Sequence, residues 1–259
     1  MNAYLPLQQY IASFILLAIG LLTSGSGWTK PQDLVDLDSA RQRFLQAEQA
    51  LDKNKLETYQ ALKMELEDYP LLPYLEYQAL RKKFHTLEAN DISAALEQFS
   101  DTPLQYQLRR DWLNTLANQG RWGTYLQFAT PGGTISQQCR RLTAMLKTGR
   151  RSQALQAVEP IWLYGYSRPK DCDPVLNAWI DSGHLTEQLV WRRIALAMDN
   201  DQLGLARYLK RFLPTADQAW VDRWIELHKH PVNPQRLLEE KHPYANEIAL
   251  DTLDRMIRQ

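Results

Sequence analysis

Three glycines, Gly120, Gly149 and Gly183, each follow a polar last turn, in LANQGRW, MLKTGRR and WIDSGHL, and they recur 29 and 34 residues apart. Glycine enters the left-handed conformation that ends a helix at little steric cost, so each marks a helix stop. The segments around them share one plan. TAMLKTGRRSQALQAVEPIWLYG and RIALAMDNDQLGLARYLKRFLP each hold an apolar helix, a short polar turn and a second helix whose small residues (Ala154, Ala157, Ala206) allow it to pack back. Two helices every 30 to 35 residues or so is the pattern of a helical solenoid. The expected fold is all-α, an irregular α-superhelix of stacked helical hairpins; a compact multi-helix bundle is the alternative.

The rest of the chain supports this. Glycine is scarce, at 11 of 259 residues, valine is rare, and no run alternates apolar and polar residues as a half-buried strand would. Helix formers dominate. LDSARQRFLQAEQALDKNK opens on an Asp38/Ser39 cap signal and sets Phe44, Ala47 and Leu51 on one face, with Asn54 at the turn. LETYQALKMELEDY follows, with Leu56, Tyr59, Leu62 or Lys63, and Leu66 as its stripe, completing an αα-hairpin. Further helices are expected at about 73–84, 91–99, 103–118, 121–129, 134–148, 151–164, 172–182, 185–199, 201–212, 215–229, 234–241 and 244–258. Their short connections suit antiparallel neighbours. The last helix carries an apolar stripe, Leu253, Met256 and Ile257, with no helix after it. An array cut short would end that way, as would a terminal helix packing backward.

Residues 1–29 carry no charged side chain, and Ile11 to Leu22 is a 12-residue apolar run followed by TSGSG. Twelve residues fit the core of a secretory signal and fall short of the roughly 20 a spanning helix needs. Residues 1–26 are therefore expected to be a signal peptide cleaved after Ser26, with an atypical uncharged start. An uncleaved anchor or a buried helix are the alternatives. No cysteine follows the run, which argues against a lipid-modified N-terminus and leaves no stable membrane anchor expected. Residues 27–36 read as a linker and 37–259 as the helical domain. Lysine plus arginine and aspartate plus glutamate balance at 30 each, which argues against nucleic acid as a partner. The two cysteines, Cys139 and Cys172, would be buried thiols in a reducing compartment or a pair in an oxidising one, and the signal-like start favours the pair. They are too few for a metal site and form no CxxC motif.

In DYPLLPYLEYQAL, Tyr69 precedes Pro70, so the preceding helix is expected to stop near Asp68. Pro73 suits the first turn of the next helix, where a missing N–H is no loss. Tyr74 and Tyr77 lie three apart, beside Leu75 and Leu80. The stretch is expected to be a rigid structural corner formed by Tyr69, Pro70, Pro73, Tyr74 and Tyr77, with a ligand site as the alternative. This stretch closely resembles the N-terminal superhelical domain of soluble lytic murein transglycosylases of Gram-negative bacteria. The order of later segments agrees: QCRRLTAMLKTGRRSQA with Cys139, IWLYGYSRPKDCDPVLNAWIDSG with Cys172, then RRIALAMDNDQLGLARYL. The resemblance runs from about Leu37 to Pro214 and weakens beyond. It implies a periplasmic, α-helical, ring-forming protein and a disulfide between Cys139 and Cys172. It also implies cleavage of the β-1,4 bond between N-acetylmuramic acid and N-acetylglucosamine without water, giving a 1,6-anhydro product. One glutamate of a Glu-Ser motif, in a separate lysozyme-like domain, acts as acid and then base.

None of the chain's glutamates (48, 57, 65, 67, 76, 88, 97, 159, 187, 226, 239, 240, 247) is followed by serine. A general acid for a glycosidic bond needs a carboxyl with a raised pKa in a sugar-binding cleft, and these mostly sit on polar helix faces. The expectation is a scaffold of the enzyme, incomplete at its C-terminal end and lacking the catalytic domain. No catalytic, cofactor-binding or metal residue is assigned and no cofactor is expected. Peptidoglycan glycan strands would be reached through the missing domain, with other cell-wall proteins as further partners. A periplasmic helical-repeat adaptor binding protein partners is the alternative function. The arginine pairs Arg109–Arg110, Arg140–Arg141, Arg150–Arg151 and Arg192–Arg193 are candidates for anion binding, against surface ion pairing. Trp112, Trp122, Trp162, Trp179, Trp191, Trp220 and Trp224 are candidates for sugar stacking, against packing between hairpins. His228 and His230 point apart on a helix and Pro231 follows, so with His242 they make a poor metal set.

Overall fold

A computed structural model of the chain describes residues 31–258. The expected signal peptide lies outside the described residues. The chain divides after Leu80 into two units.

The described part of the first unit holds α1 (Pro31–Asp52), α2 (Leu56–Met64) and most of α3 (Leu72–Lys82). Residues 31–36, expected as linker, are helical: α1 starts on Pro31, where proline's fixed φ suits a helix start. α1 and α2 form a hairpin that buries Ala47, Ala50, Leu51, Tyr59, Leu66 and Leu75 together. α2 ends at Met64, earlier than the sequence suggests. Beyond it the chain turns through short bonds, Leu66 N–H to Lys63 O (3.1 Å), Tyr69 N–H to Leu66 O (2.9 Å) and Leu72 N–H to Tyr69 O (2.9 Å). Pro70 has no N–H to give, so an α-helical ladder cannot run through it. Pro73 sits in the first turn of α3. The Tyr69 ring packs 5.6 Å from Phe44. Tyr77 is buried, whereas Tyr74 is exposed, so the two tyrosines do not share the packing of the corner. Leu75 and Tyr77 lie about 200° apart around α3 and are both covered, while Tyr74 falls in the open sector between them. Tyr77→Ala is expected to lower stability by about 2 kcal/mol through lost burial, and Tyr74→Ala by less than about 0.5 kcal/mol. Thermal melts of the two variants measure the difference, and equal losses would contradict this packing.

The second unit holds α4 (Ala89–Gln98), α5 (Leu104–Asn118), α6 (Trp122–Phe128), α7 (Ile135–Lys147), α8 (Arg151–Gln156), α9 (Glu159–Trp162), α10 (Asp173–Asp181), α11 (Glu187–Asp199), α12 (Leu203–Leu209), α13 (Thr215–Lys229), α14 (Gln235–Leu238) and α15 (Ala245–Arg258). Successive helices pack chiefly on their neighbours, α5 on α6, α6 on α7, α7 on α8, α11 on α12 and α12 on α13. The helix expected over 151–164 is two helices. Pro160 cannot donate to the carbonyl of Gln156, so α8 ends and α9 restarts with Pro160 in its first turn. Ala154 and Ala206 are fully buried, while Ala157 is exposed.

The hairpin turns share one closure. Gly120, Gly149 and Gly183 have φ of 69°, 82° and 75°, and so, at 56° each, do Asn54 in the first unit and Asp201 in the second. After each, an N–H reaches back across the turn: Lys55 to Ala50 O, Arg121 to Leu116 O, Arg150 to Met145 O, His184 to Trp179 O and Gln202 to Ala197 O. These are the bonds of a Schellman ending, which satisfies the last carbonyls of a helix. Side-chain caps at helix starts are fewer. Thr134 accepts from Gln137 N–H at α7, and Thr186 from Leu189 N–H at α11. Cys139 on α7 is bonded to Cys172, in the turn that enters α10, and both are fully buried. The Arg140–Asp171 pair lies beside them at 2.9 Å.

Candidate functional site

α11 is the most enclosed helix of the second unit. Leu189, Val190, Trp191, Ile194, Ala195, Ala197 and Met198 are buried on it, and so is one cation, Arg193. The pattern 190, 193, 194, 197 is that of an apolar stripe, and Arg193 occupies one of its positions. Its side chain opens onto a cleft of about 340 Å³ formed by α9 to α12. Trp162, Leu176, Ile180, Leu205 and Phe212 supply apolar walls, and Arg168, Arg193, Asp173 and Tyr208 supply polar ones. The Arg193 guanidinium stands 4.3 Å from the Trp162 ring centre. Burial, with Arg168 nearby, pushes its pKa down to about 10. Arg168 stacks 3.9 Å from the ring centre of Tyr164 and gives its Nε–H to Ile161 O at 2.6 Å. Gly165 anchors the loop between them: a Cβ there would lie 2.3 Å from the Leu196 carbonyl oxygen.

A second cleft, of about 590 Å³, lies among α5, α6 and the start of α7, with Tyr106, Arg109, Arg110 and Thr134 among its lining. Several of its polar groups are engaged: Arg109 donates to Phe128 O at 3.1 Å, and Thr134 and Gln137 cap each other.

Most of the other arginine candidates serve the fold, while Arg141 is half-buried and Arg150 exposed. Arg110 pairs with Asp111, Arg140 with Asp171, and Arg192 with Glu159. Arg151 donates to Ser182 Oγ at 2.6 Å. Trp112, Trp162, Trp179, Trp191 and Trp224 are buried, and Trp122 and Trp220 half-buried, so they pack between helices rather than present a sugar platform. His242 stacks on Trp220 at 4.2 Å. His230 is exposed, 3.7 Å from Glu226. His228 is buried between Asp201 (3.0 Å) and Asp251 (3.3 Å). Arg255 reaches both carboxylates, at 2.8 and 3.3 Å. Hydrogen bonds from Arg255 and His228 hold the Asp201 carboxyl below the usual carboxylate range. The group ties the left-handed turn at Asp201 to α13 and α15. Among the described residues no cluster of His, Cys, Asp and Glu suits a metal ion, and no helix is long and apolar enough to cross a membrane.

No family model matches the chain. It is similar to the soluble lytic murein transglycosylase of Escherichia coli, 30% identical over 196 residues, 75% of this chain and 30% of that protein. It is equally similar to that of Salmonella typhimurium, 30% identical over 198 residues, 76% of this chain and 31% of that protein. Among solved structures it resembles the 70 kDa soluble lytic transglycosylase of E. coli, with a TM-score of 0.69 and 28% identity, over 86% of this chain and 37% of that one. An inactive mutant of the lytic transglycosylase Slt of Pseudomonas aeruginosa gives 0.71 and 28%, over 84% of this chain and 36% of that one. The chain spans about 30% of the length of the curated relatives it matches. By sequence and by fold, the chain is homologous to the soluble lytic murein transglycosylases, corresponding to about a third of their length and sharing its all-α superhelical fold.

Proposed function

We propose that the chain is a scaffold module of a periplasmic lytic murein transglycosylase and that its helical hairpins help position peptidoglycan glycan strands for cleavage. The observation that carries this is the homology, in sequence and fold together, to part of enzymes of that name. One of those relatives has been solved in complex with bulgecin A. The chemistry of the chain fits a positioning role. No glutamate precedes a serine, and none lines the two clefts described above. In this reading residues 1–26 direct export, a short linker follows, and the helices from α1 (Pro31–Asp52) onward form the scaffold. The apolar run at Ile11–Leu22 and the Cys139–Cys172 bridge both suit an oxidising compartment outside the cytoplasm.

Incubation with purified murein sacculi tests both halves of the proposal. The chain is expected to sediment with the sacculi in a saturable way and to release no soluble 1,6-anhydromuropeptides. Release of that product would overturn the scaffold role. A chain left wholly in the supernatant would overturn the positioning of glycan and favour an adaptor for proteins.

A further inference from the structure

We propose that the cleft among α9, α10, α11 and α12 binds a small organic carboxylate with an apolar body, held between Arg193 and Arg168. Arg193 is only 4% exposed, its Nε has no hydrogen-bond partner, and no described carboxylate pairs with it. A buried charge is ordinarily paired, because leaving water without a partner is unfavourable. A second cation, Arg168, lies close enough to add repulsion. An anion between the two would answer both problems.

The lining narrows the class of ligand. Guanidinium nitrogens form a planar fork that matches a carboxylate, and Arg168 spends only its Nε–H on Ile161 O. Leu176, Ile180, Leu205 and Phe212 offer nothing to a bare inorganic ion and suit an aliphatic body. Asp173 is the one carboxylate in the lining, so a dianion is disfavoured and a ligand N–H or O–H has an acceptor. A volume of about 340 Å³ admits a molecule the size of an N-acylated amino acid. The site does not depend on the proposed role in murein cleavage, and its test is separate from sacculus binding.

The full chain is titrated with N-acetyl-leucine, its neutral amide and inorganic phosphate by isothermal calorimetry. The acid is expected to bind saturably at about 10 mM or below, with the amide and phosphate at least tenfold weaker. Arg168→Gln is expected to weaken the acid about tenfold. Arg193→Met removes an unpaired buried charge, so it should abolish binding without lowering the melting temperature. Gly204 provides an independent variant, because a Cβ there meets nothing within 4 Å and the residue lines the cleft. Gly204→Leu should fill the cleft, block the acid and leave the melting temperature unchanged. The proposal is overturned if the amide or phosphate binds as well as the acid. It is also overturned if the acid does not bind, or if folded Gly204→Leu and Arg193→Met bind it normally.

Discussion

Reducing the Cys139–Cys172 bridge is expected to lower the stability of the second unit by about 3.7 kcal/mol in the chain-entropy account of loop closure. The bridge spans a sequence separation of 33 and joins α7 to the turn that opens α10, across α8 and α9. Without it the unfolded chain regains the freedom of that whole loop. The native junction has little to take its place. The Arg140–Asp171 pair spans the same two elements, but its side chains are 28% and 31% exposed, and pairs so open to water add at most about 1 kcal/mol. Because each hairpin leans mainly on the next, loosening this junction should be felt first in α7 to α10. Urea unfolding with and without reductant measures the loss. The Cys139→Ala/Cys172→Ala variant should reproduce the reduced midpoint. Coincident midpoints for oxidised and reduced protein would show that the bridge does not constrain the unfolded chain.

The same turns show how much of the fold the sequence makes visible. Glycine was a usable marker at positions 120, 149 and 183 because it is scarce here and reaches positive φ without strain. Asn54 was visible for a related reason, as a short polar side chain that tolerates that conformation. Asp201 makes the same Schellman ending in the polar turn of RIALAMDNDQLGLARYL, and it is held there by His228 and Arg255 from distant parts of the chain, which periodicity does not show. Helix existence followed from apolar spacing, but the break between α8 and α9 depends on what Pro160 denies Gln156, and α2 already ends at Met64, two residues before the Leu66 carbonyl that Pro70 cannot serve. At Tyr74 and Tyr77, a spacing of three does not make the two rings equally deep, because α3 is covered at Leu75 and at Tyr77, on either side of Tyr74. The cleft itself is not legible in the sequence. Arg193 stands in one of the arginine pairs, and its place on the apolar stripe of α11 is the signal that could set it apart from Arg192. Arg168 gave no such signal: it lies outside a helix and comes beside Arg193 only through the loop that Gly165 lets pack against Leu196.

Trp112→Ala is expected to destabilise the second unit by about 3–5 kcal/mol, as large truncations in closed cores do. Trp112 lies on α5 with no exposed surface. Its ring meets Phe84 edge-on at 5.9 Å and Phe128 at 6.2 Å, so it joins the segment before α4 to the end of α6. Neither phenylalanine can follow a methyl group into the space, because each is held by its own helix or turn, and a cavity therefore remains. Trp112→Phe separates ring burial from the polar group. The Trp112 Nε–H is buried without a hydrogen-bond partner, so phenylalanine removes an unmet donor while it keeps most of the aromatic contact. Its expected loss is about 1 kcal/mol. Trp162 is the control, because its Nε–H donates to Leu189 O at 3.0 Å. Trp162→Phe forfeits a made hydrogen bond and should lose about 1 kcal/mol more than Trp112→Phe. Urea denaturation of the three variants gives the order. If Trp112→Phe proves as damaging as Trp112→Ala, the indole N–H has a partner that matters and the core at α5 depends on polarity as much as on packing.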